Sequence, residues 1–287
     1  MKIMMITGAG ISTGSGLSTY RGATGRYEKI EKEAGMPVEQ LLSPKTLKNN
    51  PELVWRYWLE FTLALRDAMP SAAHKAIVEI AGLSDQFVEA TQNVDGLSRD
   101  AGLTDRQLIE LHGTYHRHYC TSCKGEHQLA LTTDMPIPPR CYRCRPKDFV
   151  DYFVAPVVRP SVVMFDEFLD QDDLSDAFHY ARSGPDLLVI SGTTLQFPYL
   201  FEIIGLCAVG NAQILYIDPM AGQYNPHFHL LNPDLRVEER MFNIRKTADE
   251  IFPKLATFLR EQRERTDLSG KLDPKALKAW VDQVREA

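Results

Sequence analysis

The chain has 287 residues, 44% of them hydrophobic and 24% charged, with a formal net charge of −6. This is an ordinary composition for a folded globular protein, and the length suffices for one large core carrying inserted modules. The acidic balance argues against a dedicated nucleic-acid surface, no apolar run is long enough for a membrane span, and the short apolar start at Met1–Ile6 does not read as a signal peptide.

The first element in chain order is a short apolar strand, Ile3–Thr7, followed by Gly8-Ala9-Gly10-Ile11-Ser12-Thr13. A glycine turn directly after a strand lets the backbone approach a pyrophosphate. The ordinary dinucleotide fingerprint needs a third glycine where Thr13 stands, so a hydride-transferring dehydrogenase is disfavoured. Gly14, Gly16 and then Tyr20-Arg21-Gly22 extend the loop, which is long enough to fold over a ligand. Residues 23–70 read as a helical excursion. Within it Asn50 caps a helix with Pro51 in its first turn, running to about Asp67. Ser71 caps the next helix, expected to end with Gly82 as its C′ residue.

A second strand, Phe87–Thr91, leads into Gln92-Asn93-Val94-Asp95. Two CxxC pairs follow, Cys120/Cys123 and Cys141/Cys144, with 17 residues between them. This is the spacing of a four-thiolate structural Zn²⁺ site, closed to chemistry because no coordination position is left open; disulfides or free thiols are the bland alternative. The fifth cysteine, Cys207, stands alone in an apolar context. This cysteine usage fits a reducing compartment, and the expected location is the cytoplasm. Two more strands, Leu187–Ser191 and Gln213–Ile217, run into Gly192-Thr193-Thr194 and Asp218-Pro219. All four strands thus carry polar or glycine residues just past their C-terminal ends, the edge where open parallel sheets bind ligands. After Gln262 the chain turns charged and ends in a helix capped by Asp273, with Leu277, Trp280, Val281 and Val284 on one face. That face is expected to pack on the body or on a second subunit.

The expected fold class is α/β: a Rossmann-like parallel sheet with a smaller domain built from a helical insertion and a zinc-ribbon insertion. The divisions expected are a core of about 1–22, 71–113 and 155–262, a helical module of 23–70, a zinc module of 114–154 and a tail of 263–287.

Several of these segments, in this order, resemble the sirtuins, the NAD-dependent protein deacylases. They are Gly8-Ala9-Gly10-Ile11-Ser12 with Ser15-Gly16-Leu17 and Tyr20-Arg21-Gly22, then Gln92–Leu97, Leu111-His112-Gly113 before the cysteines, Arg159–Glu167, Gly192-Thr193-Thr194-Leu195 and Thr247–Glu250. The resemblance implies NAD as co-substrate, a structural zinc, and acylated lysine in a protein or peptide as substrate. It also implies that the acyl group passes to the ADP-ribose 2′-oxygen, releasing nicotinamide and free lysine. His112 would be the base, with an ordinary pKa suited to it. Asn93 and Asp95 would hold the nicotinamide ribose and carboxamide, and Gln92 the ribose. Gly8, Ala9, Gly10, Tyr20 and Gly192 would form the cofactor loops, and Ser12, Arg21, Thr193 and Thr194 would bind phosphate or ribose. Asp218 would lie near the adenine ribose and Ala248 near the adenine. Val162, Val163 and Phe165 would bind the peptide.

Three departures bear on substrate choice: Thr19 in place of a common aspartate, Tyr20 in place of phenylalanine, and Asp166 in place of glycine. Family members that prefer succinyl-lysine carry a Tyr-x-x-Arg pair where this chain has Trp58 and Phe61. The acyl pocket is therefore expected to be aromatic, without a cation, and suited to acetyl or longer neutral acyl groups. A mono-ADP-ribosyltransferase or an NAD hydrolase on the same scaffold is the alternative; His112 and the intact cysteines favour deacylation.

Overall fold

The computed structural model describes residues 1–20, 25–144, 155–222, 231, 233–265 and 271–286. Arg21 and Gly22 of the proposed cofactor loop lie outside them. The strands run, in chain order, β1 (Lys2–Thr7), β2 (Gln86–Thr91), β3 (Leu108–Glu110), β4 (Gly113–Cys120), β5 (Glu126–His127), β6 (Val158–Val162), β7 (Leu187–Ser191), β8 (Gln213–Ile217) and β9 (Met241–Ile244). Six of them form one parallel sheet in the order β3-β2-β1-β7-β8-β9. Strand order reverses between β1 and β7, which makes their C-terminal ends the switch point of a doubly wound fold. All four expected strands are present; β3 and β9 complete the edges.

Alternation along β1 divides the core. Ile3 and Met5 face one layer, packed on α5 (Ala72–Leu83), α10 (Ala248–Arg265) and α11 (Pro274–Glu286). Met4 and Ile6 face the other, packed on α7 (Gln171–Arg182) and α8 (Pro198–Val209). Each of these side chains is fully buried, a contribution of about 1.5–3 kcal/mol apiece. Burial on both faces explains why the strands read as unbroken apolar runs. In α5 the Ser71 cap is closed by His74, and the helix runs through Gly82 to end against Ser84, so Gly82 is not its C′ residue. Asp249 of α10 adds a bond to the same helix start, accepting from Ala73 N at 2.8 Å. The terminal helix packs on the body: Leu277, Val281 and Val284 are buried, and Trp280 stacks on Phe258 at 5.2 Å.

The smaller module combines the helical excursion with a second sheet. The excursion contributes α1 (Arg26–Ala34), α2 (Val38–Leu41), α3 (Pro44–Asn49) and α4 (Pro51–Arg66), while the short helices α6 (Leu97–Ala101) and α9 (Val237–Arg240) lie outside it; Asn50 caps α4 by accepting from Leu53 N. The second sheet is antiparallel, in the order β5-β4-β6. Trp55 of α4 donates its indole N–H to Val158 O of β6 at 2.9 Å. Residues 155–162, assigned by sequence to the parallel core, therefore belong with the small sheet. The segment's alternation carries no sign of which sheet it joins.

The four cysteines close the far end of this sheet. Their sulfurs all lie within 4.8 Å of one another, with Cys120–Cys144 at 3.8 Å and Cys123–Cys141 at 3.9 Å. A tetrahedron of thiolates about 2.3 Å from a zinc ion has edges of about 3.8 Å. The backbone N–H groups of Ser122 and Cys123 both point at Cys120 Sγ, as suits a thiolate. The donor set fits zinc. One zinc per chain is expected by atomic absorption. Its removal by a strong chelator is expected to lower the melting temperature by roughly 5–10 °C; a metal-free chain with an unchanged melting curve would contradict the assignment.

Candidate active site

Above the switch point the loops after β1 and β7 meet backbone to backbone. Gly8 N donates to Ser191 O at 3.1 Å and Gly10 N to Gly192 O at 3.0 Å. A Cβ on Gly10 would stand 2.5 Å from Gly192 Cα, and one on Gly8 would stand 2.6 Å from Gly192 O. These glycines make the floor of a cavity of about 1370 Å³ that runs between the parallel sheet and the smaller module.

The motif after β2 is held over this floor by its own hydrogen bonds. Gln92 Nε2 donates to Thr7 O at 3.2 Å and to Thr193 Oγ1 at 2.8 Å. Asn93 Nδ2 donates to Gly8 O and to Ser12 Oγ, at 3.1 and 3.2 Å. Ser12 Oγ in turn donates to Asp95 Oδ2 at 2.7 Å, and Asp95 Oδ1 accepts from Leu97 N. Ser12 and Asp95 are buried and bind each other; they do not line the cavity. Through the Ser12 hydroxyl they are bonded to Asn93, which does line it. Asn93 Oδ1 is buried with no partner among the described residues, an acceptor left for a ligand.

Behind this motif Glu89 is fully buried and accepts from Thr7 Oγ1 at 2.6 Å. Burial pushes its carboxyl up to about 7 against the opposing bonds from Thr7 and Ser98.

The remaining cofactor candidates follow the strand ends. Ala9, Thr193, Thr194, Asp218 and Ala248 all line the cavity. Asp218 caps its own turn by accepting from Met220 N, and burial raises its carboxyl. A glycine floor, an orphaned amide oxygen and a row of hydroxyl and carboxylate groups suit a pyrophosphate-linked dinucleotide.

His112 sits in the turn between β3 and β4, with Tyr199 and Phe197 around its ring. Its Nδ1 lies 3.0 Å from Gln92 O and its Nε2 lies 2.8 Å from Tyr199 Oη. Phe197 meets the imidazole edge-on at 5.3 Å. Burial lowers its pKa to about 4, the Gln92 carbonyl working weakly in the opposite direction. The ring is thus neutral at physiological pH. Its backbone O accepts from Val163 N at 2.9 Å, which docks the expected peptide strand beside it. Val162, Val163 and Phe165 line the cavity. Asp166, in place of glycine, sits at φ +68°, a left-handed conformation that costs a non-glycine residue about 1–2 kcal/mol.

The far end of the cavity is aromatic. Trp58 and Phe61 line it and are also core residues of the small module. Tyr20 also lines the cavity, 6.1 Å from Phe61. The expectation of a pocket without a cation is corrected here. Arg26 lines the cavity, with its guanidinium 4.5 Å over the Phe61 ring and its side chain 15% exposed. Its ionic partner is Glu60 at 3.7 Å, itself half exposed. Arg26 was missed because it lies on α1, far in sequence from Trp58 and Phe61. Tyr199 was missed because nothing in its local sequence points to His112; only Pro198, marking a helix start, places it in a first turn.

A family model described as the Sir2 family matches residues 8–198. The chain is 36% identical over 219 residues to NAD-dependent protein deacylase 2 of Pseudomonas syringae pv. tomato, covering 76% of this chain and 84% of that one. It is 38% identical over 202 residues to NAD-dependent protein deacylase 2 of Pseudomonas aeruginosa, covering 70% and 75%. Among solved structures, a Sir2 homologue triple mutant in complex with 2′-O-acetyl ADP-ribose superposes with a TM-score of 0.74 at 26% identity, covering 93% of this chain and 94% of that chain. A Sir2 homologue–NAD complex gives a TM-score of 0.72, also at 26% identity, covering 91% and 90%. The glycine floor, the Gln92–Asp95 motif, His112 and the four-cysteine module all fall within that likeness, and the chain belongs to the Sir2 family, the sirtuins.

Proposed function

We propose that the protein is an NAD-dependent protein-lysine deacylase, releasing nicotinamide, O-acyl-ADP-ribose and free lysine. The observation that carries this reading is one wall of the cavity, where the unpartnered Asn93 Oδ1 and the neutral His112 stand together. When bound, NAD supplies a departing nicotinamide and an electrophilic ribose carbon. The chain's own residues do the rest. Asn93 orients the ribose side, and the glycine floor admits the pyrophosphate without a side chain in the way. The Val162–Phe165 segment aligns an extended peptide, and the aromatic end excludes water from the acyl group. Because Gln92 O can only accept, His112 Nδ1 carries the ring proton and Nε2 holds the basic lone pair on which deprotonation of a ribose hydroxyl depends.

We place the enzyme in the cytoplasm, on its reduced-type cysteine usage. No helix among the described residues is long and apolar enough to cross a membrane. The acidic net charge of −6 supports protein substrates without direct nucleic-acid contact.

Arg26 favours a second class of acyl group. The aromatic rings suit acetyl and longer apolar chains, while a guanidinium over Phe61 offers charge-assisted bonds to an acyl chain ending in a carboxylate.

Three measurements test this reading. With NAD⁺ and an acyl-lysine peptide panel, mass spectrometry is expected to find O-acyl-ADP-ribose in step with free lysine. His112→Ala is expected to lower kcat by about 10²–10⁴. Nicotinamide release without deacylated peptide, or label transferred to protein, would move the enzyme to the hydrolase or ADP-ribosyltransferase class. The pH profile of kcat/KM reads the free enzyme, and a base is lost as pH falls through its pKa. The acid limb assigned to His112 is therefore expected below the ordinary histidine value of 6.5, towards about 4; a limb at or above 6.5 would contradict the buried, neutral ring. Finally, Arg26→Met is expected to leave deacetylation within about threefold and to cut desuccinylation by about 10–100-fold, the worth of a hydrogen bond to a charged group. Equal effects on both would remove Arg26 from acyl recognition.

A further inference from the structure

The hydrogen bonds around His112 fix more than its own role. Nδ1 faces a backbone carbonyl, which has no proton to give, so the neutral ring carries its proton on Nδ1. Nε2 is then a bare acceptor, and the group 2.8 Å from it is the Tyr199 hydroxyl. The phenol must be the donor. Burial raises the Tyr199 pKa far above its ordinary value, so the hydroxyl keeps its proton throughout the working range. The lone pair assigned to the base is therefore already occupied.

Two routes could free it. In one, Tyr199 swings aside and a substrate hydroxyl binds Nε2 directly. In the other, Tyr199 stays and passes the proton on. The placement of Tyr199 favours the second. It lies in the first turn of α8, directly after Pro198 at the helix start. Its ring stacks on Phe197, with centroids 5.7 Å apart and planes at 16°. The same Phe197 packs edge-on against His112. Displacement would give up both the stack and the bond to Nε2. Staying gives up neither, because a phenol oxygen that donates one proton can still accept another. Tyr199 and His112 both line the cavity, so the pair borders the space that a substrate hydroxyl would enter.

We propose that Tyr199 is the outer member of a two-residue proton relay with His112. A substrate hydroxyl gives its proton to Tyr199 Oη as Tyr199 gives its own proton to His112 Nε2. The O–H bond of the substrate breaks and its electron pair stays on that oxygen, ready to attack carbon. Tyr199 ends neutral, and His112 ends as the imidazolium. Only the identity of the hydroxyl rests on the deacylase reading above.

The test compares wild type with Tyr199→Phe, which keeps the ring and its stack and removes the oxygen. In the free protein labelled with ¹⁵N-histidine, NMR reads the bond without any turnover. The His112 Nε2 resonance is expected to move towards the unbonded position in Tyr199→Phe, while Nδ1 stays protonated. An Nε2 resonance that does not move overturns the proposal. In turnover with NAD⁺ and acyl-peptide, Tyr199→Phe is expected to lose about 10²–10⁴ in kcat, with both KM values within about threefold. The double variant His112→Ala/Tyr199→Phe is expected to be no slower than His112→Ala alone. Retained or increased kcat in Tyr199→Phe would mean the phenol merely covers the base, and overturns the relay. If wild type deacylates no peptide, the deacylase reading fails instead, and the NMR comparison still decides whether Tyr199 controls His112.

Discussion

The structure turns on the contact between two glycine loops. Where strand order reverses, the connections leaving β1 and β7 part to opposite faces of the sheet and open a crevice between them. Here the two loops touch at backbone distance, and the contact is possible only without side chains. Gly192 holds φ +67°, and a Cβ on it would lie 2.6 Å from Ile11 N. Because the loops meet, Gly8 O is in reach of Asn93 and Thr193 Oγ1 is in reach of Gln92. Three strand ends are thereby tied into one rigid floor. An alanine at Gly10 or Gly192 would part the loops and loosen Asn93 without touching it.

His112 depends on a second close approach, between β4 and β6 at the edge of the small sheet. Gly113 takes φ +73°, and a Cβ there would stand 2.0 Å from Ser161 O. That conformation lets the chain leave β3, turn sharply, and enter β4 of the small sheet. The residue before the turn is pinned from both sides: Leu111 N donates to Thr91 O in the parallel sheet, and Val163 N donates to His112 O from the substrate side. The Leu-His-Gly sequence thus has a mechanical reading. The leucine is core of the large domain, the glycine makes the crossing, and the histidine is what the crossing presents to the cavity.

Much of this was legible beforehand because it obeys local rules. The four central strands showed as apolar runs since both faces are covered. The cysteine knuckles showed because metal geometry demands fixed spacing. The caps at Asn50 and Ser71 showed because a helix start needs a side-chain acceptor. What stayed hidden is tertiary. The strands β3 and β9 are three and four residues long, too short for a period to emerge. Ser12 and Asp95 stood out by their motif, but that this hydroxyl and carboxylate from distant segments bond to each other did not. Asp166 was visible as a departure from glycine, and its strained backbone was not. The buried Glu89 carries no warning in sequence, since a glutamate in a strand ordinarily marks a solvent-facing position.

The two halves of the cavity divide the work by dielectric. The parallel sheet offers polar groups fixed by the glycine floor, suited to a charged, hydrophilic ligand. The small module offers rings: Trp58, Phe61, Tyr115 and Tyr20, with Phe61 and Tyr115 in edge contact at 4.7 Å. His112 stands at their junction, and its protonation follows from that position. Burial disfavours the imidazolium, so the ring stays neutral where an exposed histidine would begin to charge. That burial comes in part from Phe197 and Tyr199, at the start of a helix whose other face is core of the large domain. The packing of α8 and the basicity of His112 are therefore one property. A change that tilts the first turn of that helix alters the proton chemistry even though it leaves every group of the glycine floor in place.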